Sequence, residues 1–258
     1  MYRLYGSMCN QPKRLREVLA PVRDLLVSEG PVASWGLGYA HGGEVLLRRH
    51  PRPTDRVDFY DVVESVASDY IVLYASSDAT YKGNDNTQPF RYKNWLYAQA
   101  GEVDAFDAIK PALVDHIPGF IARNIHGKTP AEHVFHVFLA FLHDAGVLGD
   151  INLPPEHARR ALRDALALVY NLIVQAGGTR GPGNAIVTNT RTMLAVRVDD
   201  PLYVRRFRKS DRKEAHDLKA VLITSGDTAP GEGFEEVPPR SVIAVSRDLQ
   251  IDIVALDA

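Results

Sequence analysis

The pattern of apolar and polar positions changes period twice along the chain, from strand-like to helix-like and back again. Short apolar and aromatic runs bounded by turn residues predict strands at 4–8, 34–40, 44–49, 70–75 and 95–101. Gly42-Gly43 lies between the second and third of these runs, a pair typical of a two-residue hairpin turn. The first hundred residues therefore predict antiparallel β structure.

Apolar residues at three- and four-residue steps then predict helices, one early at 15–27 and others at 56–66, 103–114, 118–125, 131–145 and 156–176. The segment 131–145 is apolar around too much of its circumference for a surface helix, so we expect it between two layers. Strand-like runs return at 185–188, 193–197, 220–224, 241–245 and 251–254. Strands, helices and strands in this order predict an α+β fold with the helices segregated from antiparallel sheets.

The stretch 205–219 is rich in Arg and Lys and lies between two late strands. We expect a solvated, mobile loop here. Nucleic-acid binding is disfavoured because aromatic residues, on which bases would stack, are not interleaved with the charges.

Composition disfavours some classes of function, but it does not indicate which function the chain has. A net charge of -2 with 24% charged residues gives no reason to expect a nucleic-acid or acidic-membrane partner, and no apolar run approaches the length of a membrane span. Cys9 is the sole cysteine, so no internal disulfide forms and a reducing compartment fits. We expect one domain over 1–258 and a cytoplasmic location.

Residue chemistry alone proposes no active site. Cys9 lies on a predicted buried strand without a base nearby in sequence, which favours an inert small hydrophobe. The helix at 131–145 carries Glu132, His133, His136 and His143, but no second cluster completes the three or four ligands that a zinc site needs. We therefore expect no metal and no cofactor.

A set of short motifs in fixed order does carry a resemblance. The opening Met-Tyr-Arg-Leu-Tyr-Gly is similar to a Met-Cys-Arg-Leu-Leu-Gly start, and 34–39 to a Gly-Trp-Gly-Ile-Gly hairpin. Residues 79–80 match the end of His-Val-Arg-x-Ala-Thr, and 86–90 are similar to Asn-Thr-His-Pro-Phe. Residues 95–101 are similar to Trp-Leu-Phe-Ala-His-Asn-Gly, and 129–135 to Thr-Asp-Ser-Glu-His-Leu-Phe. Together these segments resemble class II (N-terminal nucleophile) glutamine amidotransferases of the small, single-domain bacterial type, over about the first 140 residues.

The resemblance implies a four-layer αββα Ntn-hydrolase sandwich, two stacked antiparallel sheets with helices on both sides. It also implies a chemistry in which an N-terminal Cys, freed by removal of Met, attacks the glutamine amide with its own α-amine as base. A backbone amide and an Asn side chain stabilise the oxyanion, while an Arg and an Asp hold the substrate's carboxylate and ammonium groups.

Carried over one position at a time, these functional residues are replaced in this sequence. The nucleophile position is Tyr2, whose bulk should also leave Met1 in place, and the Arg position is Ser77. The oxyanion Asn position is Ala100, although Gly101 beside it is kept, and the Asp position is Pro130. Two His positions of the motifs are Gln88 and Gln99. The matching residues that survive, such as Trp35, Gly36 and Thr80, look like scaffold.

We therefore expect a catalytically inactive homologue with a binding or regulatory role, and an active paralogue, a synthetase subunit or a small molecule as its partner. The expected pocket consists of Tyr2, Trp35, Gly36, Ser77, Thr80, Gln88, Gln99, Gly101 and Pro130, with Tyr74 beside Tyr2. Two alternatives stay open. The chain could be an active amidotransferase or amidohydrolase with unorthodox residues, such as Cys9 or Ser7 as a displaced nucleophile, or a purely structural partner whose pocket is filled.

Overall fold

A computed structural model describes residues 2–210, 216–226 and 230–256. Thirteen strands are described: β1 (Tyr2–Cys9), β2 (Ser34–His41), β3 (Glu44–His50), β4 (Tyr70–Ser76), β5 (Phe90–Tyr92), β6 (Trp95–Gln99), β7 (Ala185–Thr188), β8 (Met193–Arg197), β9 (Leu202–Lys209), β10 (Leu218–Ser225), β11 (Glu235–Glu236), β12 (Ser241–Val245) and β13 (Ile251–Ala255). Six α-helices accompany them: α1 (Leu15–Leu19), α2 (Phe59–Val62), α3 (Phe106–Asp115), α4 (Gly119–Ala122), α5 (Pro130–Asp144) and α6 (Pro155–Gln175). Short 3₁₀ helices cover Pro12–Arg14, Ala20–Leu26 and Asn84–Asn86.

The strands form two antiparallel sheets that stack face to face. One sheet has the order β11-β9-β10-β1-β4-β2-β3, and the other has the order β13-β12-β8-β7-β6-β5. Helices α1 and α2 cover the outer face of the first sheet, and the longer helices α3, α5 and α6 cover the second. The predicted four-layer αββα arrangement is confirmed.

Alternation along β1 decides which layer each of its side chains enters. Leu4 and Met8 face the second sheet and belong to the core between the sheets, together with the partly buried Tyr2. Tyr5 and Cys9 face the opposite way and pack under α1 and α2. Because side chains of a strand alternate between faces, one register fixes both sets.

Helix α5 has buried residues around most of its circumference, as its sequence predicts. Its neighbours are β6 on the sheet side and α3, α4 and α6 around it. The first turn begins with Pro130, and the Thr129 Oγ1 accepts a hydrogen bond from the Glu132 amide at 3.2 Å. This cap fixes where the helix starts, and with it the position of Pro130.

The early helices are shorter than the sequence pattern predicts. The segment predicted at 15–27 is α-helical only to Leu19 and continues as 3₁₀ turns, because Pro21 cannot donate the next helical hydrogen bond and Val22 has a non-helical φ of -121°. The segment predicted at 56–66 forms only the four-residue α2. Apolar spacing alone overestimated both helices.

The prediction of a mobile loop at 205–219 is wrong for its described ends. Residues 205–209 continue β9 and pair with β10, with Lys209 opposite Leu218, while residues 211–215 lie outside the described part of the chain. The charges are paired at the surface, Arg208 with Asp217 at 2.7 Å and Lys209 with Glu17 at 3.0 Å. The basic composition did not indicate a strand, but the hydrogen bonds between β9 and β10 need only backbone groups, so the charged side chains do not prevent pairing.

Gly36 on β2 provides a test of this packing. A Cβ added there would lie 2.1 Å from the Gln88 carbonyl oxygen, whereas nothing lies within 4 Å of a Cβ added at Gly30. We expect Gly36→Ala to lower the free energy of unfolding by about 1–3 kcal/mol, because backbone must move to relieve the overlap. Gly30→Ala, the matched control, should leave it unchanged or slightly raise it. Urea denaturation measures both, and equal stabilities for the two variants would contradict the packing described.

Candidate functional site

A cavity of about 380 Å³ opens at the edge of the sheet where β1 and β2 begin and β4 ends. Tyr2 is paired with Ser76, and Ser76 is paired on its other side with Ser34, so three neighbouring strands contribute to the lining. The remaining wall comes from the segments after β4 and β6 and from the start of α5. The lining residues are Tyr2, Ser34, Tyr74, Ser76, Asp78, Thr80, Tyr81, Asn86, Gln88, Gln99, Gly101, Glu102, Val103, Asp104, Ala105, Thr129, Pro130, Ala131 and Arg180.

Tyr2 is the lining residue supplied by β1. Its hydroxyl donates a hydrogen bond to Asp78 Oδ2 at 3.2 Å, and its ring centroid lies 6.4 Å from that of Tyr74. Burial and the negative charge of Asp78 both raise the pKa of the Tyr2 phenol. The side chain is therefore a neutral hydrogen-bond donor at physiological pH.

Asp78 is held by the turn that follows β4. Its Oδ1 accepts hydrogen bonds from the Thr80 amide at 2.8 Å and the Thr80 hydroxyl at 2.6 Å, and its own amide donates to Ser76 Oγ at 2.9 Å. Partial burial raises the pKa of Asp78, but the hydrogen bonds from Thr80 and Tyr2 outweigh it, so the pKa lies below its usual value. The cavity thus contains an ionised carboxylate close to the start of β1.

The side-chain amides of Gln88 and Gln99 form hydrogen bonds within the wall of the cavity. Gln88 Nε2 donates to the Gln99 carbonyl at 2.9 Å, and Gln88 Oε1 accepts from the Gln99 amide at 2.7 Å, so this side chain mimics a strand partner for the end of β6. The Gln99 Oε1 accepts from the Tyr97 hydroxyl at 2.7 Å. Both side chains hold the cavity wall in place.

Gly101 follows β6 with a φ of 90°, a conformation that favours glycine. A Cβ there would lie 2.8 Å from the Gly183 nitrogen, so the two segments cross at close range. Ala100 before it is buried, donates its amide to the Asn184 carbonyl at 2.8 Å and accepts from the Gly183 amide at 3.1 Å. The backbone turn is kept, while the side chain at Ala100 is a methyl group that donates no hydrogen bond.

Charged residues at the rim connect the segment after β6 to residues 179–183. Arg180 pairs with Glu102 at 2.6 Å and with Asp104 at 3.2 Å. Asp104 Oδ2 also accepts from the backbone amides of Thr179 at 3.1 Å and Arg180 at 2.9 Å. The Arg180 amide hydrogen bond, followed by that of Thr179, lowers the pKa of Asp104. Arg180 thus forms ion pairs with two carboxylates at the rim.

Six of the nine residues expected in the pocket line this cavity: Tyr2, Thr80, Gln88, Gln99, Gly101 and Pro130. Trp35 does not, because strand alternation turns its ring to the outer face, where it stacks on His50 with centroids 5.5 Å apart. Gly36 lies under the Gln88 carbonyl, and Ser77 is exposed between the lining residues Ser76 and Asp78. Met1 lies outside the described residues.

The sequence pattern did not single out Asp78, Asp104 or Arg180. The spacing of Asp78 and Thr80, typical of a turn in which a carboxylate caps the amide two residues on, was the one local signal for the first of them. Arg180 comes 76 residues after Asp104, so only the folded chain brings it together with Glu102 and Asp104.

The two displaced nucleophiles considered from the sequence lie away from the cavity. Cys9 is seven residues along β1 from Tyr2, about 23 Å for an extended strand. It is buried on the outer face, its thiol donates to the Ser68 carbonyl at 3.5 Å, and burial raises its pKa to about 12. Ser7 is buried on the same outer face. Neither side chain lines the cavity.

Two histidines of α5 are hydrogen-bonded to backbone carbonyls four residues earlier in the chain. His133 Nδ1 and His136 Nδ1 are hydrogen-bonded to the carbonyls of Thr129 at 2.9 Å and Glu132 at 2.7 Å. The Glu132 carboxylate accepts from the amides of His126 at 3.0 Å and Gly127 at 2.7 Å. Within 2–210, 216–226 and 230–256, no three His, Cys, Asp or Glu side chains are grouped to hold a metal ion. None of the helices described there is long and apolar enough to cross a bilayer.

No protein-family model and no curated protein sequence matches this chain. Solved structures do match. A protein from Silicibacter pomeroyi described as a glutamine aminotransferase class-II domain protein has a TM-score of 0.62 at 16% identity, covering 98% of this chain and 99% of that one. A predicted glutamine amidotransferase from Pseudomonas aeruginosa has a TM-score of 0.57 at 14% identity, covering 98% and 99%. The chain has the fold of a class II glutamine amidotransferase domain.

This class II amidotransferase fold also forms part of a larger enzyme. Glutamine phosphoribosylpyrophosphate amidotransferase from B. subtilis has a TM-score of 0.59 at 12% identity, and the match covers 98% of this chain but 49% of that one. The chain therefore corresponds to about half of that enzyme. The resemblance drawn from the motifs is confirmed at the level of the fold.

The buried His136 predicts a pH dependence of stability. Burial lowers its pKa to about 4, so between pH 4 and its ordinary value near 6.5 the unfolded chain binds more protons than the folded chain. Stability contributed by the neutral side chain is present above pH 6.5 and is lost as the pH falls, by about 2 kcal/mol at pH 5. Between pH 7.5 and pH 5, the free energy of unfolding of His136→Gln should therefore fall by about 2 kcal/mol less than that of the parent chain. Urea denaturation at both pH values measures this.

The matched control for this titration is His116→Gln, which changes the same type of side chain at an exposed position. Equal losses for the parent chain and His136→Gln would contradict a neutral, buried His136.

Proposed function

We propose that this chain is a catalytically inactive homologue of class II glutamine amidotransferases that keeps their cavity as a binding or regulatory site. The observation that carries the proposal is Tyr2 at the nucleophile position, with its hydroxyl hydrogen-bonded to Asp78. We further propose a cytoplasmic location and, as partner, an active paralogue or a synthetase subunit.

Tyr2 lacks what the covalent step needs. A thiolate is a strong nucleophile near neutral pH, whereas burial and Asp78 keep this phenol protonated by raising its pKa. The phenol donates to a carboxylate that already accepts two hydrogen bonds from Thr80, and Asp78 is ionised because its pKa is low. A carboxylate with a lowered pKa is a poor base for a phenol with a raised pKa.

The groups that would bind the transition state and substrate are also missing from the expected positions. Ala100 donates nothing from its side chain, and losing one oxyanion donor typically costs about 3 kcal/mol of transition-state stabilisation. Pro130 at the start of α5 carries no charge and no amide hydrogen, and Ser77 is exposed beside the cavity instead of supplying a guanidinium group. Substrate affinity and rate should both suffer, so replacing one group would not restore turnover.

The open cavity supports a binding role over a filled, purely structural pocket. About 380 Å³ remains between Tyr2 and Gly101 with both residues in place. The alternative of an active enzyme with an unorthodox nucleophile is weakened by Cys9, which is buried on the other face of β1 with a pKa of about 12.

We expect no ammonia release from L-glutamine above background, and none from Tyr2→Cys, because Ala100 and Pro130 still lack the partner groups. A coupled glutamate dehydrogenase assay on the purified chain measures both, and Cys9→Ala is the control for a displaced thiol. Release by the parent chain that Cys9→Ala abolishes would overturn the proposal. Turnover gained by Tyr2→Cys alone would show that the residue correspondences are wrong.

A further inference from the structure

We propose that the cavity binds a small organic ammonium ion that carries no carboxylate. The inference rests on the proposed binding role and names its ligand class. It follows from the charges, the hydrogen-bonding capacity and the aromatic rings that line the cavity.

The balance of charge favours a cation. Three carboxylates line the cavity, those of Asp78, Glu102 and Asp104, against the guanidinium group of Arg180 and the charge of the N-terminus, which helps to lower the pKa of Asp78. The sum is still negative. Arg180 is already paired with Glu102 and Asp104 at 2.6 and 3.2 Å. In the described part of the chain, no other Lys or Arg lines the cavity. A ligand carboxylate would therefore compete with Glu102 and Asp104 for Arg180 and would be repelled by the three carboxylates, and the carboxylate of an amino acid such as glutamine would meet the same obstacle.

Asp78 has room for a cationic partner. The three hydrogen bonds that it accepts from described residues come from neutral groups, two from Thr80 to Oδ1 and one from Tyr2 to Oδ2 at 3.2 Å. A carboxylate offers about four lone-pair sites, so Oδ2 can accept a further donor or lie against a methylated ammonium group. None of the described lysines or arginines forms an ion pair with this side chain.

Aromatic rings supply the second contact. Tyr2, Tyr74 and Tyr81 line the same cavity as Asp78, and the rings of Tyr2 and Tyr74 are tilted by 35° with centroids 6.4 Å apart. Ring faces attract cations, and a ring beside a carboxylate is a common way of binding an organic ammonium ion in a partly dry site. The volume of about 380 Å³ limits the ligand to a small molecule.

The test compares probes of equal shape and different charge. Choline is the cation, 3,3-dimethylbutan-1-ol is its neutral carbon isostere, and 3,3-dimethylbutanoate is the anion. Isothermal titration calorimetry on the full chain should show choline binding at least about tenfold more tightly than the alcohol and the anion no more tightly than the alcohol. n-Butylamine, titrated in parallel, should also bind more tightly than the alcohol.

Two variants locate the site. Asp78→Asn keeps the shape and an acceptor for Thr80, and it should weaken choline binding about tenfold without changing binding of the alcohol. Tyr81→Leu removes a ring and should weaken choline binding about threefold or more. Asp144→Asn is the matched control, an exposed carboxylate at the far end of α5, about 21 Å along the helix from Pro130. Circular dichroism melting curves establish that each variant is folded.

The same samples are assayed for ammonia release, so the two proposals fail separately. Glutamine hydrolysis would overturn the proposed inactivity. Without hydrolysis, choline binding no tighter than the alcohol, tighter binding of the anion, or equal losses for Asp78→Asn and Asp144→Asn would each overturn the ammonium site alone.

Discussion

The pairing of β1 on both of its edges is the constraint on which the site depends. β4 on one side and β10 on the other hold it at the centre of the seven-stranded sheet, with Tyr2 opposite Ser76 and Tyr5 opposite Thr224. The Leu4 amide adds a 2.9 Å hydrogen bond to Ser225 Oγ. Because a slip of one residue would exchange the two faces of the strand, this register places position 2 at the cavity whatever side chain it carries.

The residues that the fold requires can therefore be distinguished from the residues that catalysis would require. Gly36 and Gly101 are required by backbone that passes within about 3 Å of where a side chain would begin, and Gln88 ties its loop to β6 through two hydrogen bonds. Such residues contribute to folding. Tyr2 and Pro130 line the cavity, so we expect substitutions at these two positions to cost less stability than substitutions at Gly36 or Gly101, and function alone would have to maintain a catalytic side chain there. Ala100 is buried in the core between the sheets.

The sequence predicted best what depends on local pattern. The periodic α5 and α6 and the glycine hairpin between β2 and β3 were part of the pattern that predicted an α+β fold with antiparallel sheets, and the resemblance carried by the ordered motifs implied the four layers. Patterns failed where distant groups decide the structure. The charged end of β9 is a strand because its backbone pairs with β10. Helix α1 ends at Leu19 because Pro21 cannot donate the next helical hydrogen bond. Asp78, Glu102 and Arg180 lie far apart in the sequence and line one cavity only in the folded chain, so the charge of the cavity could not be predicted from local patterns.

We propose above all that the cavity persists without a nucleophile. The most direct measurement is the intact mass of the chain after incubation with 6-diazo-5-oxo-L-norleucine, an alkylating mimic of glutamine. We predict an unchanged mass, because Tyr2 is a protonated phenol and Cys9 is buried with a raised pKa. A mass increase of one adduct, mapped by peptide sequencing to a residue that lines the cavity, would contradict it.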